Sequence, residues 1–369
     1  MATNRHEYYL DCENVQNSEN TQKTFLKLVK AGLWGNGNPD VRIDGTTDWQ
    51  EVYQLATEQS VLGLVLDGLE HSDVKPPQVL LLQWIGEVQM IEQRNKAMNL
   101  FLAELVEKMR AADIYSILVK GQGVAQCYEK PLWRPSGDVD LLLSEVNYKK
   151  AKELLLPLSS SNKNEERYSQ HLGMSIGQWY VEIHGSLRTG LSASVDKEVD
   201  AAQDSVFIGG NVRSWDNNGT LVSLPAPTED VFLVFTHFIK HFYKEGMSLR
   251  QVCDWCRLLW TYRESLNYEL LESWITKSGL MGEWMAFYNL ANRYLGMPDL
   301  DSRLMAHDSR FDKKAEKLME FILGGYSGNK FKDTLQIAKI FPWKAFRYSP
   351  SIFLNVNCLK VKERVFDIN

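Results

Sequence analysis

The chain has 369 residues, with 41 Lys and Arg against 47 Asp and Glu, a formal net charge of −6; 44% of residues are hydrophobic and 24% charged. Those proportions belong to a globular protein and exclude a collagenous, low-complexity or mainly disordered chain. The acidic balance argues against a protein whose main task is to coat nucleic acid. The length implies two or three domains, or one domain with large helical additions. The most apolar runs, Val61–Leu66, Val79–Leu82 and Val231–Phe235, fall far short of the ~20 residues that span a bilayer. The polar N-terminus lacks the apolar stretch of a secretory signal. Five scattered cysteines, of which only Cys253 and Cys256 form a CxxC, fit a reducing compartment, so a cytoplasmic location is expected.

Residues 1–20 read as a flexible polar tail. From 21 to 113 the apolar spacing is helical. Leu26, Val29 and Leu33 mark one short helix, and Asp48 is placed to cap a second, with Val52, Leu55, Ala56 and the run to Leu69 on its buried side. After Pro76 and Pro77, a long amphipathic stretch from Gln78 to Ala112 repeats Met98, Phe101, Leu102, Leu105 and Met109 on one face. The texture changes at Ile114: the run ending at Val119 is short and apolar and stops at Gly121, which reads as a buried strand. A short helix over 121–129, a strand over 137–143 and a helix over 145–156 follow. Ser159–Gln170 reads as a solvated loop, with strands at 173–176, 178–184 and 205–215 and a turn at Asp216–Gly219. Beyond Pro227, with Thr228 as the expected cap, helices are predicted at about 229–244, 248–263, 267–278, 281–294 and 312–324. Residues 329–369 hold eight Lys and Arg against three Asp and Glu; this basic tail reads as solvated surface in preference to an RNA-facing patch. The fold class is α+β. A small α/β core at 114–225 stands between an N-terminal helical region, 21–113, and a C-terminal one, 226–369.

The chemistry concentrates in Val119–Leu143. Asp138 and Asp140 lie two apart on a predicted strand. Their side chains therefore share one face, with Cα atoms about 6.7 Å apart, while Val139 and Leu141 face the core. If the two carboxylates approached to ~4 Å at an effective dielectric of ~20, repulsion would cost on the order of 4 kcal/mol. A divalent cation removes that cost, and Mg²⁺ takes one or two carboxylates together with substrate phosphates. Upstream, Lys120-Gly121-Gln122-Gly123 sits between a strand and a helix start, where glycines permit close backbone approach and helix N–H groups favour anions. Metal-bridged phosphates are the basis of phosphoryl and nucleotidyl transfer. Neither a Rossmann nor a Walker A pattern is present, because Gln126 and Cys127 stand where those motifs need glycine and lysine.

The order strand, glycine turn, short helix and a strand opening with Gly-Asp-Val-Asp resembles the DNA polymerase beta-like nucleotidyltransferase superfamily. Within it, the run from Lys120 through Arg134-Pro135-Ser136-Gly137-Asp138 is similar to a family of uncharacterised bacterial nucleotidyltransferases with a helical N-terminal part, over about residues 45–265. The resemblance implies that Gly121 and Gly123 form the phosphate turn and that Asp138 and Asp140 hold Mg²⁺ or Mn²⁺. It further implies a third carboxylate from a later strand, for which Glu182 is the best match, on the same face as Tyr180 and His184. The turn reads Gly-Gln-Gly, and the segment from Gly121 to Asp138 is longer than the superfamily's usual spacing. Lys120, with Arg134 and Ser136 in the longer segment, is a candidate for nucleotide contacts. The substrate would be an NTP and the acceptor a small molecule, protein or, less in keeping with the charge, RNA.

Other features were weighed against plain structural roles. His237 and His241 have a spacing that can bind Zn²⁺, but no HExxH pattern is present and a packed or site-facing helix is favoured. His237, Lys240, Arg250 and Asp254 are acceptor-side candidates; an Arg…Asp pair in this helix is what the resemblance implies. Cys253 and Cys256 read as structural, and Trp133, Trp179, Trp255 and Trp260 mostly as core, with Trp133 or Tyr180 able to stack on a base. The leading expectation is a metal-dependent nucleotidyltransferase. A metal-dependent phosphodiesterase or nuclease using the same carboxylates, and a nucleotide-binding regulatory module, are the alternatives.

Overall fold

The computed structural model describes residues 3–35, 41–43, 47–166, 170–300, 304 and 306–348, with side chains from residue 19 onward. Helix α1, Thr3–Trp34, runs through the segment expected to be a flexible tail. Its second half buries Phe25, Leu28, Val29 and Leu33 against α3, Leu62–Glu70. Between them α2, Trp49–Glu58, is capped by Asp48, whose carboxylate accepts from Gln50 and Glu51 N–H, as its sequence position implied. The helix does not continue to Leu69: Ser60 at φ 55° breaks it, and the run to Leu69 belongs to α3. Helices α1 and α3 meet at bare backbone. A Cβ on Gly32 would lie 1.9 Å from the Leu64 carbonyl oxygen, and one on Gly68 would lie 2.1 Å from that of Leu28. On α3, Gly63 leaves room for the Trp133 carbonyl in the same way, at 2.3 Å.

Helix α4, Gln78–Ala111, is 34 residues long, or about 51 Å. It ends at the α/β core: β1 Ile117–Val119, α5 Gly121–Ala125, β2 Asp138–Leu142, α6 Glu145–Leu155, β3 Ser161–Asn162, β4 His171–Ile176, β5 Trp179–His184 and α7 Ala193–Phe207. Strand order is β1-β2-β5-β4-β3. β2 and β5 are parallel, and the other neighbours are antiparallel. Val139 and Leu141 face a core shared with Val181, Ile183, Leu172 and Met174, covered by Met98, Leu102, Leu105 and Met109 of α4 and by Tyr148, Ala151 and Leu155 of α6. The alternation read from the sequence therefore leaves Asp138, Asp140, Tyr180, Glu182 and His184 on the opposite face. A separate hairpin, β6 Val212–Asn217 and β7 Thr220–Pro225, turns at Asn218 and Gly219, both at positive φ, as the turn signal required.

Two expectations change here. Ser205–Phe207 close α7 instead of opening a strand, because Ser192 caps that helix and Val195, Val199, Ala202 and Val206 recur at helical spacing. The short β3 occupies part of the segment read as loop.

The C-terminal layer is α8 Pro227–Lys244, α9 Leu249–Tyr262, α10 Tyr268–Ser278, α11 Met281–Leu295 and α12 Asp312–Gly324, close to the predicted spans. Thr228 is not the cap. Ala226 precedes Pro227 at the first helical position, and the Thr228 hydroxyl accepts from Asn267 N–H at 2.9 Å. The basic tail is not all solvated surface. It forms α13 Lys330–Ala338 and α14 Pro342–Tyr348, which bury Ile337, Ile340, Phe341, Ala345 and Tyr348. Residues 349–369 lie outside the described residues. No helix among the described residues is long and apolar enough to cross a membrane. The result is an α+β fold in which a five-stranded mixed sheet is flanked by helices.

Candidate active site

The parallel register of β2 and β5 sets Asp138 beside Tyr180 and Asp140 beside Glu182. Three carboxylates, Asp138, Asp140 and Glu182, thereby offer oxygens within 4.8 Å of one another. Asp138 and Asp140 line a cavity of about 680 Å³, open to solvent, between the sheet and helices α8 and α9; Glu182 stands beside Asp140 but is not in its wall. Lys120, Gly121, Arg134, Ser136, His237, Arg250 and Asp254 line it too, so most of the residues singled out in the sequence converge here. Gly123 and Lys240 do not. A Cβ on Gly123 would strike Leu224 at 2.6 Å, so that glycine serves the packing of α5 on β7. Lys240 pairs with Glu245 at 3.1 Å.

The carboxylates differ in their company. Asp140 is buried, and its Oδ1 accepts from Lys120 Nζ and from His184 Nε2, both at 2.8 Å. Burial pushes its pKa up, but Lys120 and His184 outweigh burial and hold it well below the usual carboxylate range. Glu182 stands 3.0 Å from His171 Nε2 and is likewise held low, the neighbouring histidines prevailing over burial and the charge of Asp140. Asp138 has neither hydrogen bond nor ion pair among the described residues. Burial and the neighbouring charge of Asp140 push it up to about 6.

Lys120 reaches Asp140 from an unusual backbone. Its φ of 59° and ψ of −147° fall in a region that is essentially reserved for glycine, and Gly121 follows at φ 43°. Lys120 is expected from its motif to contact a nucleotide; the strained backbone that places it has no signature in the motif.

On the far wall, Arg134 and Asp254 form a buried bidentate pair, Nε and Nη2 each 2.7 Å from one carboxylate oxygen. Arg134 Nη1 donates to Ser136 Oγ at 2.9 Å, and the Tyr128 hydroxyl donates to Asp254 at 2.8 Å. Asp254 therefore pairs with Arg134 and not with Arg250, its expected helix partner. Arg250 keeps only the Pro135 carbonyl, at 3.1 Å, and its buried Nε has no partner. His237 and His241 meet Nε2 to Nε2 at 3.0 Å, and His241 Nδ1 lies 3.2 Å from Glu245. Burial, reinforced by Lys120, holds His237 well below its usual pKa, so it is neutral near pH 7.

Other expectations fall away from the cavity. Trp133 lies under Lys130 and donates to Glu92. Cys253 and Cys256 are buried free thiols whose pKa burial raises. Sequence reasoning missed His171. The β4–β5 register alone sets it opposite His184, with the rings stacked at 4.5 Å and 6°.

The sequence pattern of a family described as "Uncharacterised nucleotidyltransferase" matches residues 45–296, more than half of the chain. The chain belongs to that family. The matched span of this nucleotidyltransferase family member contains the glycine turn, all three carboxylates and both walls of the cavity. No curated protein matches the chain. Among solved structures, an antigenic nucleotidyltransferase-like protein from Paracoccidioides brasiliensis is similar over 55% of this chain and 92% of that one, at 11% identity and a TM-score of 0.32. A likeness of that size adds nothing to the assignment.

Proposed function

We propose that the protein is a cytoplasmic, metal-dependent nucleotidyltransferase of the DNA polymerase beta-like superfamily, with its catalytic core at residues 114–225. It would move an NMP group from an NTP such as ATP to an acceptor and release pyrophosphate. The observation that carries this reading is Asp138, a carboxylate without a partner beside two others at the edge of a cavity whose walls carry Lys120 and Arg250. The residues fit a hard divalent cation: the donors are all oxygens, and the like charges that raise Asp138 are relieved by positive charge. Bound Mg²⁺ or Mn²⁺ would polarise phosphoryl oxygens and neutralise charge on the leaving pyrophosphate.

The chain's own residues divide the work. Asp138, Asp140 and Glu182 hold the cation. Arg250, with its unpartnered Nε, and Lys120 offer positive charge to the triphosphate, and Gly121 keeps side-chain bulk from the turn. Arg134 and Asp254, locked to each other, are positioning residues that fix Ser136 and the entry to β2. The acceptor enters along α8, where His237 and His241 line the cavity and neutral His237 can take a proton. The acceptor oxygen attacks the α-phosphorus, and the bond to the β-phosphate breaks with its electron pair leaving on pyrophosphate.

The test is incubation of the full chain with each NTP, Mg²⁺ or Mn²⁺ and a metabolite or protein mixture, reading pyrophosphate and transfer of an α-phosphate label. Pyrophosphate with matching label on an acceptor is expected, and both are lost in Asp138→Ala. Hydrolysis of phosphodiesters without label transfer would favour a nuclease and overturn the reading.

A further inference from the structure

Behind the three carboxylates the same sheet carries a second cluster with different chemistry. His171 and His184 are register partners on β4 and β5, their rings stacked at 4.5 Å and nearly parallel. Both Nε2 atoms face one oxygen: Glu182 Oε2 lies 3.0 Å from His171 and 3.6 Å from His184. One ligand atom from each of the three residues lies within 4.8 Å of the other two. The Glu166 carboxylate stands 3.8 Å from the other ring nitrogen of His171. A carboxylate behind a ligating imidazole is the usual outer support of a metal-bound histidine, fixing its tautomer.

We propose that His171, Glu182 and His184 form a second cation site, of two nitrogens and one oxygen, for a borderline divalent transition ion such as Zn²⁺. Two imidazoles and one carboxylate leave the remaining positions of such an ion open. Imidazole suits Zn²⁺, Co²⁺ and Fe²⁺, whereas Mg²⁺ takes oxygen donors, so the two clusters select different ions. A carboxylate has two oxygens, and Glu182, common to both clusters, is able to bridge them. Both imidazoles bind neutral through Nε2, so the proton that His184 donates to Asp140 shifts to His184 Nδ1 when the ion is bound.

The site goes beyond the proposed transfer reaction, and it is tested without reading activity. Full-length protein freed of metal with a chelator is titrated with Co²⁺ in excess Mg²⁺, following the visible ligand-field bands, for wild type, His171→Ala and Asp138→Asn. One Co²⁺ per wild-type chain is expected. Loss of a ligand should weaken it by at least the ~10–100-fold seen when outer-shell partners are removed. Asp138→Asn should keep Co²⁺ affinity within about threefold while losing Mg²⁺-dependent NTP binding. His171, half-buried near the strand end, is the safer substitution. Should it fail to fold, X-ray absorption of the Zn²⁺-loaded wild type reads imidazole scattering directly. Co²⁺ affinity unchanged in His171→Ala, affinity lost equally in Asp138→Asn, or Zn²⁺ with only oxygen neighbours would each overturn the proposal. The histidines would then serve only as hydrogen-bond partners of the carboxylates. Failure of label transfer with an intact Co²⁺ site would overturn the transferase reading alone.

Discussion

Two groups of buried charge face each other across the cavity. On the α9 side, Asp254 is met by two Arg134 nitrogens and a tyrosine hydroxyl. On the sheet side, Asp138 has neither hydrogen bond nor ion pair among the described residues, only the more distant charges of Lys120 and Arg250. Both line the same cavity from opposite walls, yet the first is satisfied by its own chain and the second is not. A satisfied pair holds walls together; an unsatisfied carboxylate beside two others costs stability that only a ligand returns. The comparison separates scaffold from machinery without reference to residue type, since both groups are aspartates.

The contrast should break most visibly at the satisfied end. Asp254→Ala leaves the Arg134 guanidinium buried and unpaired, and should cost about 3–5 kcal/mol in the urea unfolding midpoint. A loss below ~1 kcal/mol would show that solvent reaches the pair. Next comes the sheet. Glu182→Gln keeps size but removes charge, so it should lower label transfer by on the order of 100-fold, about 2.7 kcal/mol in the barrier, with nucleotide affinity nearly unchanged. Equal loss of rate and affinity would place Glu182 in binding alone.

A smaller effect probes the strained lysine. Both Lys120→Ala and Lys120→Gly remove the ion pair, but only glycine accepts φ 59° freely. Lys120→Gly should therefore be more stable than Lys120→Ala by about 1–2 kcal/mol in thermal melts. Equal stability would mean the turn relaxes.

The smallest effect sharpens the unsatisfied end. The folded pKa of Asp138, about 6, lies above its unfolded value, so the folded state binds the extra proton. Its contribution is fully present below about pH 4 and is lost as pH rises through about 6. Metal-free Asp138→Asn should remove that slope and be more stable than wild type at pH 7 by on the order of 1 kcal/mol. An unchanged slope in the pH dependence of unfolding would assign it elsewhere.

Much of this was legible before any coordinates. The alternation in Asp138–Leu142 fixed which side chains face the cavity, and the spacing in α8 through α12 fixed the opposite wall. The order of glycine turn and acidic strand carried the functional reading. Pairings between distant segments were not legible. Arg250 and Asp254 are helix neighbours, and only packing of the loop before β2 onto α9 diverts Asp254 to Arg134, 120 residues away. His171 sits beside a polar loop and acquires meaning only through register with His184. Gly123 looked like part of the phosphate turn because sequence cannot tell room for a ligand from room for Leu224.

The bare-backbone contact of α1 with α3 bears on how the gene can be divided. The family pattern begins at residue 45, after α1 has ended. Yet α1 closes on Gly68 of α3, Gly63 of α3 receives the Trp133 carbonyl, and Trp133 immediately precedes the arginine that locks the cavity wall. The Leu33 carbonyl also accepts from Arg257 of α9 at 2.8 Å. An expression fragment cut at the edge of recognisable homology would strip one helix and uncover the apolar side chains of α3, Val65, Leu66 and Leu69 among them. The stretch that sequence comparison recognises is thus shorter than the stretch that packs together.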